Sequence, residues 1–387
     1  MIKKNLIIIP TNEKINQICD YLYQTSCVLA KENTVFIFYT NQFQPLGSLF
    51  YNLIKNRETH QSESIHYFYP TAYIPLILNK FLINPAIIDI KKINLKINLI
   101  IFNLYYFHLQ KNKYRKKYLW LFFLELVWMK KHLSNQTKVI YDIVDLSTDT
   151  GHLENTIKDN LNFTNFIFAN SDTLTKIYQK FTDKKITTTP MGFKSSNQST
   201  HLLKKKGERK IIGFVGAISN RLDLNLLIKL ATRNPNLEFI FVGPKVIDNK
   251  IPSQNFQDNL RKLFELKNTH HIKKQSKQRI YSFINIFDIC IIPYNTNFSF
   301  NRYCYPMKLF EYFYMGKPVL STPIRELTLP KFKNLIKIGK NYLEWESHIH
   351  YLLNKPWNKS SQRKQKQMAI NNSWDNKVKF ILSKITT

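Results

Sequence analysis

The chain has 387 residues, 44% of them hydrophobic and 21% charged. That excludes a wholly disordered protein and gives room for two domains of ordinary size. Lysine and arginine number 57 against 26 acidic residues, a formal charge of +31 that points to anionic partners such as nucleotides or lipid surfaces. The chain is also rich in Lys, Asn, Ile, Phe and Tyr, so compositional drift accounts for much of that charge. No recognisable nucleic-acid-binding motif accompanies it. The four cysteines, Cys19, Cys27, Cys290 and Cys304, form no C-x-x-C and meet no histidine at zinc spacing. They read as free thiols of a reducing compartment.

The sequence opens with two lysines before an apolar run, Leu6 to Ile9. That run is too short for a signal peptide and no small-residue cleavage site follows, so it reads as a first buried strand. Ile15 to Leu29 carries helical spacing and Thr34 to Tyr39 reads as a second strand, the start of an alternating β–α rhythm. Pro10-Thr11-Asn12 stands where a Gly-rich loop would make a dinucleotide site, so none is expected there. Ile93 to Trp128 mixes apolar, aromatic and basic residues and reads as helix, basic loop (KNKYRKK), strand and a further helix holding Glu125. Its apolar run is too short and too often broken by Asn and Lys to span a bilayer. The mixture suits docking onto an anionic membrane face, although core packing accounts for most of its aromatics.

Lys138 to Leu146 reads as a strand with Asp142 and Asp145 toward its carboxyl end. Gly151-His152 follows in a loop, then a strand from Phe166 to Asn170. Lys194 to Lys210 turns polar and basic and is the linker candidate. A fresh α/β unit begins at Ile211–Val215, ends in Gly216 and leads through Arg221 into a helix; Glu238–Val242 is the next strand, closed by Gly243. A glycine at a strand's end lets backbone approach a ligand closely. Arg221 can bond two phosphate oxygens at once, or it is a solvated arginine at a helix start. From Tyr342 onward only helices are expected.

The stretch from Asp288 to Thr322 organises the whole. Ile289 to Ile292 reads as a strand buried on both faces, and Pro306 as the first position of a helix running to Met315. Gly316 is its left-handed cap, and Val319-Leu320 opens the next strand. Lys308 would sit in the first turn, where the helix dipole already disfavours a cation unless an anion lies against it. Glu311, on the same face, can accept hydrogen bonds from hydroxyls. The plainer alternative is a solvated Lys308–Glu311 pair at i, i+3.

Pro306, Lys308, Glu311, Tyr312, Gly316, Lys317, Pro318 and Val319 spell P-x-K-x-x-E-Y-x-x-x-G-K-P-V, which resembles the donor-binding segment of GT-B-fold glycosyltransferases. The resemblance implies that Glu311 holds ribose or sugar hydroxyls of a nucleotide-sugar while Lys308 lies near its diphosphate. Many relatives carry a second glutamate where Tyr303 stands, so sugar identity and stereochemistry stay open. Gly216 to Leu227 and His271 to Ile289 are similar to the same family. Tyr141-Asp142-Ile143-Val144-Asp145 and Ala169-Asn170-Ser171 resemble its acceptor domain, with Leu146 where a second acid is often found and Pro190-Met191-Gly192 where P-N-G is common. Asp142 reads as a capping or turn residue after its strand. Asp145 is the candidate catalytic or acceptor-orienting carboxylate.

The resemblance implies two Rossmann-like domains with parallel sheets facing a cleft: an acceptor-side domain over 1–195, a linker over 196–209, a nucleotide-sugar domain over 210–340, and C-terminal helices over 341–387 that return to the first domain. Gly216, Arg221, Gly243, Met307, Lys308 and Glu311 form the expected donor site. The expected reaction is transfer from a nucleoside-diphosphate sugar to a hydroxyl of a lipid-linked or polysaccharide acceptor. No cofactor or metal is expected, since cations and a helix start can neutralise the leaving diphosphate. The expected setting is cytoplasmic, peripheral to the inner membrane face. Two rivals remain at this stage, a nucleotide-sugar epimerase of the same fold and a non-catalytic polyanion-binding module.

Overall fold

A computed structural model describes residues 4–12, 20–43, 65–70, 72–73, 89–104, 114–146, 154–194, 203, 205, 207–249 and 251–386. Cys19, Gly151, His152 and residues 196–202, 204 and 206 of the expected linker lie outside the described residues. The long apolar runs become strands because both of their faces are covered: Leu6, Ile7, Ile8 and Ile9 are all 0% exposed, as are Ile289, Cys290, Ile291 and Ile292.

Among the described residues, seven strands form the first sheet: β1 (Lys4–Thr11), β2 (Thr34–Tyr39), β3 (Ile65–Phe68), β4 (Tyr114–Leu121), β5 (Lys138–Ile143), β6 (Phe166–Ala169) and β7 (Ile186–Thr188). They lie in the order β3-β2-β1-β4-β5-β6-β7, and every pair is parallel. Six more form the second sheet: β8 (Lys210–Val215), β9 (Leu237–Val242), β10 (Thr269–Ile272), β11 (Ile289–Ile292), β12 (Val319–Ser321) and β13 (Lys337–Ile338). Their order is β10-β9-β8-β11-β12-β13, again parallel throughout. In both sheets the order reverses beside the first strand, between β1 and β4 and between β8 and β11. Crevices at such reversals, outside the carboxyl ends of the strands, are where open α/β sheets bind ligands.

Two cores flank the first sheet. One gathers Leu99 and Phe102 of the helix Ile90–Asn103 with Leu126 and Met129. The other joins Leu22 and Leu29 to Val378, Ile381 and Ile385 of the last helix, Trp374–Thr386, so the end of the chain packs on the sheet that its beginning forms. The crossing is bonded to the outgoing chain: Trp374 N–H donates to Phe193 O at 3.0 Å, and Met191 N–H to Asn372 Oδ1 at 2.9 Å. Gly192, at φ +98°, lies flat against the Trp374 ring, where a Cβ would come within 2.4 Å.

Three expectations change. Tyr114 to Lys117, read as part of a basic loop, are the first half of β4. Arg115 faces solvent, and Lys117 buries its stem while β4 runs on into fully buried residues. The expected second helix of that segment is a nine-residue 3-10 helix, Leu124–His132. Asp142 neither caps nor turns. It sits inside β5, fully buried, with Lys377 Nζ at 2.9 Å from its Oδ1 in an ion contact out of hydrogen-bond alignment.

Candidate active site

The site is built where β8 and β11 end side by side. Two loops leave these strands and are stitched together: Asp223 N–H donates to Pro293 O and Asn295 N–H to Arg221 O, both at 2.8 Å. Gly216 (φ +126°) and Gly243 (φ +151°) end β8 and β9 in conformations other residues rarely adopt. A Cβ on Gly243 would fall 2.0 Å from Gly216 O, so the second glycine exists to let the first strand's end pass.

The helix after the second loop is Lys308–Tyr314. Pro306 precedes it by a turn, instead of opening it, because Leu309 and Phe310 bond back to Pro306 O and Met307 O and draw the chain in first. Met307 is the N-cap and supplies no side-chain bond to the helix start. Leu309, Phe310, Tyr312 and Phe313 are buried, and the Tyr312 hydroxyl accepts from Val215 N–H at 3.0 Å, pinning the helix to β8. Gly316 (φ +64°) stops it, with Lys317 N–H bonding Tyr312 O.

Lys308 therefore reaches back over the end of β8, beside Gly216. Its Nζ donates to the Tyr294 hydroxyl at 2.9 Å and lies 3.9 Å from the centre of the Phe214 ring. Burial lowers its pKa, and the favourable influence of Tyr294 only partly offsets this. The Arg221 guanidinium is clasped between the rings of Tyr294, at 4.4 Å, and Phe300, at 4.7 Å. Its Nε donates to Oδ1 of fully buried Asn301 at 2.9 Å. Burial works against its charge, but the electrostatic influence of Tyr294, Cys304, Asp145 and Asp248 outweighs burial and holds its pKa above the ordinary value.

Glu311 lies on the same helix, half-buried, and the cation beside its carboxylate is Lys277, at 3.9 Å. Lys308 is engaged with Tyr294 instead, so the solvated Lys308–Glu311 pair is not what the helix forms. Asp145 follows β5 in the other half of the molecule, half-buried. Its charge bears on Arg221 and Cys304, while Asp142 is turned away into the core. Gly216, Arg221, Gly243, Met307, Lys308 and Glu311 thus share one sheet edge. Tyr294, Phe300 and Asn301 were not anticipated. Tyr294 had a signal, being the first residue after the β11 proline, whereas nothing in the polar loop distinguishes Asn301. Tyr294 also lines a cavity of about 420 Å³ with Lys229, Asn295, Thr296 and Lys340; Lys308, Arg221 and Glu311 are not among its walls. Among the described residues, no three of His, Cys, Asp and Glu cluster so as to hold a metal.

The closeness of Gly216 to the ammonium gives a direct test. A Cβ there would stand 2.8 Å from Lys308 Nζ, at a φ that strains any other residue. Gly216→Ala is expected to displace the ammonium and weaken binding of a nucleoside diphosphate about tenfold or more, the scale of one charge-assisted hydrogen bond. Calorimetric titration would measure it.

Two parallel Rossmann-like sheets with the site at the carboxyl edge of the second define the GT-B architecture. Solved structures share it along nearly the full chain. Sucrose-phosphate synthase from Thermosynechococcus elongatus superposes with a TM-score of 0.70 at 12% identity, over 99% of this chain and 98% of that one. A glycosyltransferase from Rickettsia africae gives 0.66 at 12% identity over 98% and 97%. Anabaena HepE in complex with UDP gives 0.63 at 11% identity over 99% and 98%. Residues 198–371 match the family described as glycosyl transferases group 1. A putative teichuronic acid biosynthesis glycosyltransferase, TuaH of Bacillus subtilis, is 30% identical over 112 residues, which are 29% of this chain and 26% of that protein. The chain thus matches about a quarter of that relative's length.

Proposed function

We propose that the protein is a glycosyltransferase that moves a sugar from a nucleoside-diphosphate donor to a hydroxyl of a glycan acceptor, lipid-linked or polysaccharide, in building a cell envelope. The observation that carries this reading is the pair of cations meeting at Tyr294. Lys308 is bonded to a hydroxyl and faces two rings, and Arg221 is bonded to an amide between two rings. These bonded partners are neutral, so the crevice offers two positive charges to an anion. A diphosphate fits that demand, and the UDP bound by Anabaena HepE and the group 1 family supply the precedent.

In the proposed reaction the bond from the sugar's anomeric carbon to the diphosphate oxygen breaks and the acceptor oxygen bonds that carbon. The acceptor proton passes to a carboxylate, for which Asp145 is the candidate, or to the departing diphosphate. Lys308 and Arg221 stabilise the charge that develops on the leaving group, so the reaction needs no metal. Glu311 holds donor hydroxyls. The reading places the enzyme in the cytoplasm at the inner face of a membrane.

Incubation with pooled nucleotide-sugars and glycan acceptors tests the whole. A transferred sugar supports the proposal, an epimerised donor favours an epimerase, and binding without turnover favours a polyanion-binding module. Glu311→Gln keeps the side chain's size but weakens acceptance from hydroxyls, so donor affinity should fall by about tenfold. Unchanged affinity and transfer in that variant would remove Glu311 from the donor site.

A further inference from the structure

The helix Ile90–Asn103 is built inside out toward its carboxyl end. It buries Asn94 (0% exposed) and Asn98 (2%) beside Leu95, Leu99 and Phe102. Meanwhile Ile100, Ile101 and its C-cap Leu104 stand 49%, 40% and 54% exposed. A helix whose outer face met only water would carry polar residues there. Its first turns are lysine-rich: Lys91, Lys92 and Lys96 are all exposed, and the helix itself contains no acid. Asp89 ahead of it is occupied as the N-cap, accepting from Lys92 N–H.

The same character continues onto the neighbouring 3-10 helix, Leu124–His132. Lys92 Nζ lies 5.8 Å from the centre of the Trp128 ring, and Trp128 meets His132 edge-on at 5.8 Å. Burial first, and then Lys96 and Lys131, lower the pKa of His132, so lysines of both elements share one field around it. Lys131 in turn covers part of Phe163, which is 50% exposed, with its Nζ 5.4 Å from the ring centre. The exposed acid of this second element is Glu125, against Lys130, Lys131 and His132 at its other end.

We propose that this face, with Ile100, Ile101, Leu104 and Phe163 as its apolar points and Lys91, Lys92, Lys96 and Lys131 as its cations, docks onto an anionic lipid surface. The composition selects the occupant. Protein interfaces favour aromatic residues and Arg at their centre and are depleted in Lys. Aliphatic side chains flanked by lysines are what an interfacial helix presents to headgroups, with the apolar groups entering the acyl boundary and the ammonium groups meeting lipid phosphates. The inference deepens the proposed function, because it would hold the crevice near an acceptor carried on a lipid. Docking needs no turnover, however, so vesicle binding and sugar transfer can fail independently.

The test is flotation of the full chain with vesicles of phosphatidylcholine alone and of phosphatidylcholine with phosphatidylglycerol, at low and high salt. The wild type should float with the anionic vesicles at low salt and be released as salt screens the lysines. Lys91→Gln/Lys92→Gln/Lys96→Gln and Ile100→Ser/Ile101→Ser/Leu104→Ser should each lower partitioning by about tenfold or more. All substituted positions face solvent, and an unchanged melting temperature would verify that both variants fold. Three results would overturn the proposal: a wild type that stays at the bottom at low salt, variants that float as it does, or a wild-type dimer that the serine variant dissociates, which would assign the face to a second copy of the chain.

Discussion

Replacing Lys308 by Met is expected to raise the melting temperature of the ligand-free protein while lowering sugar transfer about 10²–10³-fold, the scale of removing one preorganised donor to a developing negative charge. The two effects have one cause. Lys308 holds an ammonium against two ring faces and a hydroxyl, an arrangement that burial makes unfavourable until an anion arrives. Methionine keeps the stem that packs over Phe214 and removes the charge. Turnover should fall more than donor affinity, because the contact strengthens as the leaving diphosphate gains charge. The pH dependence supplies a second readout. Between its lowered pKa and the ordinary 10.5, Lys308 carries fewer protons folded than unfolded, so its contribution to stability rises with pH in that window. Donor affinity must run the other way, falling as pH climbs through the same pKa and the ammonium is lost. The Met variant should lack both slopes, as thermal melts and nucleotide titrations across alkaline pH would record.

Asp142→Ala should be strongly destabilising although it lies outside the site. It leaves Lys377 charged, wholly buried and without its counter-ion, a loss of about 3–5 kcal/mol. The damage should be local before it is global, since Lys377 belongs to the Trp374–Thr386 helix, and detaching that helix uncovers the face of the first sheet packed by Val378 and Ile381. The double replacement Asp142→Leu/Lys377→Met removes both charges and should recover most of the loss. Hydrogen exchange on residues 374–386 and denaturant melts would separate the outcomes. A double variant no better than Asp142→Ala would mean that the pair contributes something besides mutual neutralisation.

These two aspartates show what the sequence could and could not tell. The strand holding Asp142 was readable from its apolar run, with Asp145 just beyond its end. What Asp142 does was not readable, because its partner lies more than two hundred residues away and only the fold brings Lys377 to it. The helix Lys308–Tyr314 was legible for the opposite reason. Its cation, its carboxylate and its glycine stop are local, and their spacing carries the family pattern. Even there, Pro306 moved out of the helix, because backbone bonds to Pro306 O and Met307 O close a tighter turn first. Tyr294 escaped notice although its place just after the β11 proline marked it, because a lone tyrosine there adds no periodicity. Its importance appears only once loops from β8 and β11 lie side by side. The basic start of β4 was misread because charge suggests a loop, whereas a lysine stem fits the end of a buried strand.

The crossing at residues 190–194 and 372–374 bears on how the crevice could open. A single linker would leave one half of the molecule to swivel about any axis. Here the chain leaves the first sheet and comes back to it through the same narrow neck, where Trp374 and Asn372 bond Phe193 and Met191 and the indole lies on Gly192. Two strands of chain clamped at one point resist twisting and permit bending, as a door on two adjacent pins can only swing. Elsewhere Glu326, fully buried, reaches from the second half to accept from Thr173 N–H at 2.8 Å, while Lys331 bonds both Glu326 and Asp172. The two halves are thus tied at two places, by the neck and by this ion cluster.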